Sequence, residues 1–130
     1  MKKTVPFEVF GPNQFLMFDI LRLSELEKAV GKTINELVTN GNAGVEFCLK
    51  ALPIGMKQHY RPDPREYAER IEKHLENGGT LNQIEVPIIK AILASGIYGK
   101  QAVVRSEEAM AEATGEGAAT EAKNEQEETA

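Results

Sequence analysis

From Thr4 to Ile20 the chain is so rich in Phe, Val, Leu and Ile that a strand pair built from it is apolar on both faces, which narrows the folds open to it. The stretch is interrupted once, by the turn formers Gly11-Pro12-Asn13-Gln14, and this predicts a β-hairpin. With Val5, Phe7 and Val9 facing the core on one strand and Leu16, Phe18 and Ile20 on the other, Phe10, Phe15 and Met17 fall on the opposite face. Two strands alone are marginal in water, so one face is expected to pack on helices. The other must be covered by the chain itself, a sister subunit or a partner.

Helical signals follow. Ser24 and Glu27 have capping-box spacing, Leu23, Leu26 and Val30 share a face, and Gly31 supplies a stop. Thr33 is expected to cap a short helix carrying Ile34, Leu37 and Val38 that ends around Asn40-Gly41. A third helix, from about Ala43 to Leu52, has Val45, Cys48, Leu49 and Leu52 at i, i+3, i+4 and i+7 and is expected to break at Pro53 and Gly55. Asp63-Pro64 opens a fourth, with Tyr67, Ala68, Ile71 and Leu75 inward, that runs to about Asn77 before Gly78-Gly79. Thr80 begins the last, apolar around most of its circumference from Ile84 to Ile97 and so expected to be the central core helix. Pro87 is acceptable there if the helix starts near Asn82 to Glu85, or kinks. The expected fold is therefore α+β and mainly α: an N-terminal hairpin packed on about five short helices over residues 1–101.

Beyond Tyr98-Gly99 the composition changes. Residues 105–130 hold 8 Asp/Glu against 2 Lys/Arg, while 1–104 hold 12 against 13, so the net charge of −5 belongs to the end of the chain. From Ser106 onward Met110 is the one large apolar side chain, too little to offset the entropy of ordering, and residues 102–130 are expected to be a disordered acidic tail. A near-neutral remainder lacks the basic field that drives general nucleic-acid binding, so no nucleic-acid partner is expected. Cys48 is alone, Met1-Lys2-Lys3-Thr4 leads into no apolar signal core, and the apolar run Val86 to Tyr98 is broken by Lys90 and falls short of the roughly 20 residues a spanning helix needs. A cytoplasmic protein without membrane contact is expected.

Chemistry is sparse. Gly31-Lys32-Thr33 resembles the end of a phosphate-binding loop, but Leu26 stands where that loop needs a glycine; helix stop and helix cap is the plainer reading. Asn40-Gly41-Asn42-Ala43-Gly44 reads as an interhelical loop, since no cation follows within a turn. His59 and His74 belong to no metal-ligand spacing and Cys48 sits on an apolar face, so no catalytic residue, metal or other cofactor is expected. Glu25 to Val38 can be read as a helix-turn-helix, which sets up an alternative, a small DNA-binding regulator; its reading helix, however, carries Asn35 and Glu36 and no cation after Lys32. The connector Ile54 to Pro62 mixes apolar, aromatic and basic groups of the kind that concentrate in interfaces. Its Met56, His59 and Tyr60, with Phe10, Phe15 and Met17 of the hairpin, are the candidate partner-binding residues.

The order of elements, a hairpin, then ILRLSELEKAVGKTINELV, two further helices with small-residue loops, and an apolar last helix before an acidic low-complexity end, resembles the tail assembly chaperones of long-tailed phages and gene transfer agents. Leu23, Leu26, Glu27, Val30 and Gly31 carry the match to that family's Leu-x-x-Leu-Glu helix, and the likeness covers about residues 5–98. The resemblance implies a non-enzymatic role in the host cytoplasm: binding the long apolar tape measure protein, keeping it soluble, and helping tail tube protein polymerise around it. In such phages the chaperone is often also made as a longer, frameshifted form. The family has no catalytic residues to carry over, and self-association is an open expectation.

Overall fold

The computed structural model describes residues 3–40 and 44–99. These form a two-stranded antiparallel hairpin and five helices, α+β and mainly α as the sequence predicts. The tail expected from residue 102 lies outside the described residues.

Strands β1 (Thr4–Pro6) and β2 (Phe15–Met17) pair in the register Val5 opposite Leu16, and the bond from Phe7 N to Gln14 O (2.9 Å) extends the pairing toward the turn. In that turn Asn13 takes a left-handed φ of 62° and its N–H donates to the Glu8 carboxylate. Val5, Phe7, Leu16 and Phe18 are buried, as the alternation requires. Ile20 is not: it is 66% exposed, because the strand stops at Met17 and helix α1 (Ile20–Val30) begins earlier than the Leu23/Ser24 start expected. Asp19 is the reason. In an extended conformation, just past the end of β2, it accepts the Arg22 N–H at 2.9 Å, and so caps the helix before Ser24, an equally good capping residue, is reached.

With Ser24 inside the helix, Glu27 reaches forward to the N–H of Ile34 (2.8 Å), and the capping box forms instead between Thr33 and Glu36 at the start of α2 (Ile34–Asn40). Gly31 closes α1 at φ 81°, the left-handed stop its position predicts. Helix α3 (Val45–Gly55) continues through Pro53, which in a last turn removes only one intrahelical bond. Its buried face, Phe47, Cys48, Ala51, Leu52 and Gly55, leaves the expected Val45 57% exposed. Helix α4 (Pro64–Glu76) is capped by Asp63, whose carboxylate accepts the Arg65 N–H (3.0 Å); it buries Tyr67 and Ile71 and leaves Leu75 outside the core. Helix α5 (Asn82–Ala94) starts within the expected range, carries Pro87 in its second turn, where the bond to the Gln83 carbonyl is lost, and ends before Ile97, which is exposed.

The centre differs from expectation. Helix α5 buries Ile84, Ile88 and Ile92 and lies against the hairpin, but α3 packs on α1, α4, α5 and β2, so α3 is the hub. Gly55 lets α3 come close to the hairpin: a methyl placed there would stand 2.9 Å from the Phe18 ring and 3.1 Å from Leu16. Because Phe18 and Leu16 are fully buried and cannot swing away, Gly55→Ala is expected to cost about 1–3 kcal/mol of stability by overpacking, read as a lower urea midpoint at unchanged slope. Phe18→Leu in the same chain is expected to recover part of that loss.

Candidate functional site

Of the six candidate residues, Phe15, Met17 and His59 meet at the outer edge of β2. Phe15 and Met17 turn main-chain groups away from β1, and these are met by side chains in place of a third strand. Phe15 N donates to Nε2 of His59 (3.0 Å), Phe15 O accepts from Nε2 of Gln58 (2.8 Å), and Met17 O accepts from Nη1 of Arg22 (3.1 Å). Arg22 also donates to Oε1 of Gln58 (2.8 Å), and Lys57 pairs with Glu25, so two bonds tie the connector to α1. The His59 ring stands edge-on to Phe15 with centroids 4.8 Å apart.

The aromatic half of the site lies alongside. Tyr60 OH accepts from Nε2 of Gln14 (2.6 Å), and the Arg70 guanidinium lies 3.6 Å above the Tyr60 ring. Tyr67, fully buried, meets Tyr60 edge-on at 6.0 Å and Phe10 at 6.3 Å, and Phe10 meets Phe7 at 5.4 Å. Gln14 Oε1, Tyr67 OH and Arg70 Nη1 are buried here without a protein partner.

The candidates are thus brought together but not equally presented. Phe10, Phe15, Met17, His59 and Tyr60 are half-buried, whereas Met56 is wholly buried and belongs to the core; its expected place on a partner-binding surface is corrected. The hairpin's second face is covered largely by the chain's own connector and α4, which leaves less open surface than the sequence suggested. Exposed apolar surface appears instead where β2 hands over to α1, at Ile20 and at Leu21, which is 77% exposed. Sequence reading placed Ile20 inside, and Asp19 as a cap was the signal that would have moved it. Nothing local marks Gln58, Arg22 or Arg70, since each reaches a partner distant in the chain or acts through a ring it stacks on.

The helix-turn-helix segment falls on α1 and α2, where Ile34 and Leu37 are buried and Asn35, Glu36 and Thr39 face out. Among the described residues no three His, Cys, Asp or Glu side chains gather as a metal site requires, and no helix is long and apolar enough to cross a membrane. Cys48 is buried, and loss of solvation, with Glu85 nearby, pushes its thiol up to about 12. Burial likewise raises the Tyr67 phenol to about 12. Comparison of the chain with protein families, with curated proteins and with solved structures finds no match.

Two outcomes follow from these buried acids. Native Cys48 should be alkylated by iodoacetamide at pH 8 at least about a hundredfold more slowly than in urea, since the thiolate is the nucleophile. The fold favours the neutral forms of Cys48 and Tyr67, so their contribution is complete below the ordinary values of 9.0 and 10.0 and is lost as pH rises toward about 12. The urea midpoint should hold to pH 9 and fall steeply above pH 10.

Proposed function

We propose that this chain is a protein-binding, non-enzymatic chaperone of the phage tail-assembly kind, which holds apolar segments of the tape measure protein in the host cytoplasm and hands them to tail tube protein. The observation that carries the reading is the apolar strip at the end of the hairpin. Ile20 and Leu21 stand exposed at the first turn of α1, a few residues from the half-buried Phe15 and Met17, and Arg22, Gln58 and His59 are polar groups along the same edge. Apolar side chains beside polar ones have the composition of a recognition surface. The resemblance carried by Leu23, Leu26, Glu27, Val30 and Gly31 gives that surface a client. A long apolar protein synthesised before its tube exists needs cover for its apolar segments, and a small domain with an apolar strip suits that role.

The strip also changes which substitutions are informative. Phe10 packs against Phe7 and Tyr67, so replacing it disturbs the core as well as any partner contact. Ile20 and Leu21 have little to lose inside the domain. In co-expression with the tape measure protein of the same genome, the unmodified chain should render the client soluble and co-purify with it. Ile20→Asp with Leu21→Asp should lower the recovered complex by about tenfold or more while shifting the melting temperature by no more than about 2 °C. Equal recovery with the double variant would remove this strip as the client surface. An insoluble client in the presence of the unmodified chain would remove the chaperone reading itself.

A further inference from the structure

The bond between Phe15 and His59 works in only one protonation state of the ring. A main-chain N–H can only donate, so Nε2, 3.0 Å from Phe15 N, must carry a lone pair and the ring proton must reside on Nδ1. An imidazolium carries N–H at both positions and would set donor against donor. The second histidine provides the contrast: His74 Nε2 lies 3.0 Å from the carbonyl oxygen of Thr80, which can only accept, so that bond needs the proton and survives acid. The two rings therefore respond oppositely to acidification.

We propose that His59 pins the connector to the outer edge of β2 as a latch that acid releases. Among the described residues no carboxylate pairs with His59, so none is in place to hold the charged ring. On the hairpin side, Glu8 accepts from Asn13 and Asp19 caps α1; on α1, Glu25 is paired with Lys57; where the connector ends, Asp63 is engaged as the cap of α4 by the Arg65 N–H; on α4, Glu66 faces Arg70; and Arg22, Lys57, Arg61 and Arg70 around the connector are positive. Protonation thus removes the Phe15 bond and sets two N–H groups against each other across 3.0 Å, so the ring must move off the Phe15 N–H. Met56 stays anchored in the core, and the bonds from Gln58 and Arg22 do not titrate, so the change is confined to the connector and the β2 edge. The edge that opens contains Phe15 and Met17, so the latch would regulate the strip assigned above to the client; that use rests on the functional proposal, the latch itself does not.

The test needs no client, which separates its failure from failure of the chaperone reading. In nitrogen-15 NMR of the full chain, His59 should be in the Nδ1–H form at pH 8. Between pH 8 and 5, the range in which histidines change charge, the protection factor of the Phe15 amide should fall about tenfold in step with ring protonation, the scale of one lost hydrogen bond. The Leu16 amide, on the inner ladder with Val5, should keep its protection. His59→Phe, which retains an aromatic ring but neither accepts nor titrates, should leave Phe15 unprotected at both ends of the range. An Nε2–H tautomer at pH 8, a Phe15 amide indifferent to pH, a parallel loss at Leu16, or the same acid response in His59→Phe would each overturn the latch.

Discussion

The contact between the end of α3 and the inner face of the hairpin joins the helical hub to the strands, beside the more extensive packing of α5 on both of them. Gly55 brings the α3 backbone against the Phe18 ring and the Leu16 methyls, both fully buried. A two-stranded hairpin with three residues per strand has too few ladder bonds to stand alone, so this contact and the one with α5 keep it folded. It also sets the rotation of α3. Once Gly55 faces Phe18, Cys48, Ala51 and Leu52 turn inward with it and Val45 turns out.

Closing the hairpin onto α3 creates the connector's task. Helix α3 ends beside β2, so the residues that leave it, Met56 to Tyr60, pass along the outer edge of that strand. An open strand edge invites pairing with other chains. Here two connector side chains satisfy both outward groups of Phe15 and Arg22 satisfies the carbonyl of Met17, and Pro6, opposite Phe15 on β1, has no N–H to leave unpaired. Side-chain bonds of this kind can open singly, whereas a ladder opens as a unit, and so the edge is covered yet able to respond to a change at one ring.

The exposed apolar surface has the same origin. Asp19 ends the strand and starts α1, so Ile20 and Leu21 occupy the first turn of the helix, ahead of the positions that Leu23 and Leu26 carry into the core. Their exposure follows from a local cap, and this surface apolar pair, a few residues along the chain from Phe15 and Met17, is the feature on which the proposed client binding rests.

By itself the sequence determined the class of fold, the number of helices, and those ends where a local chemical device stands: Gly31 in its left-handed turn, Asp63-Pro64 at the start of α4, the stop before Gly78. These are interactions over three or four residues, and such spacing can be read without knowing the fold. It also picked out the hairpin and connector as one region of interest, because mixed aromatic and basic composition is visible locally. What only the tertiary structure decided was every choice between near-equal local options and every long-range pairing. Asp19 prevails over Ser24 as the cap because the strand before it ends at Met17, and Glu27 turns to Ile34 once Ser24 is no longer free. Met56 goes to the core, and His59 and Gln58 go to Phe15 more than forty positions away, because α3 docks on the hairpin; no pattern along the chain encodes partners at that separation.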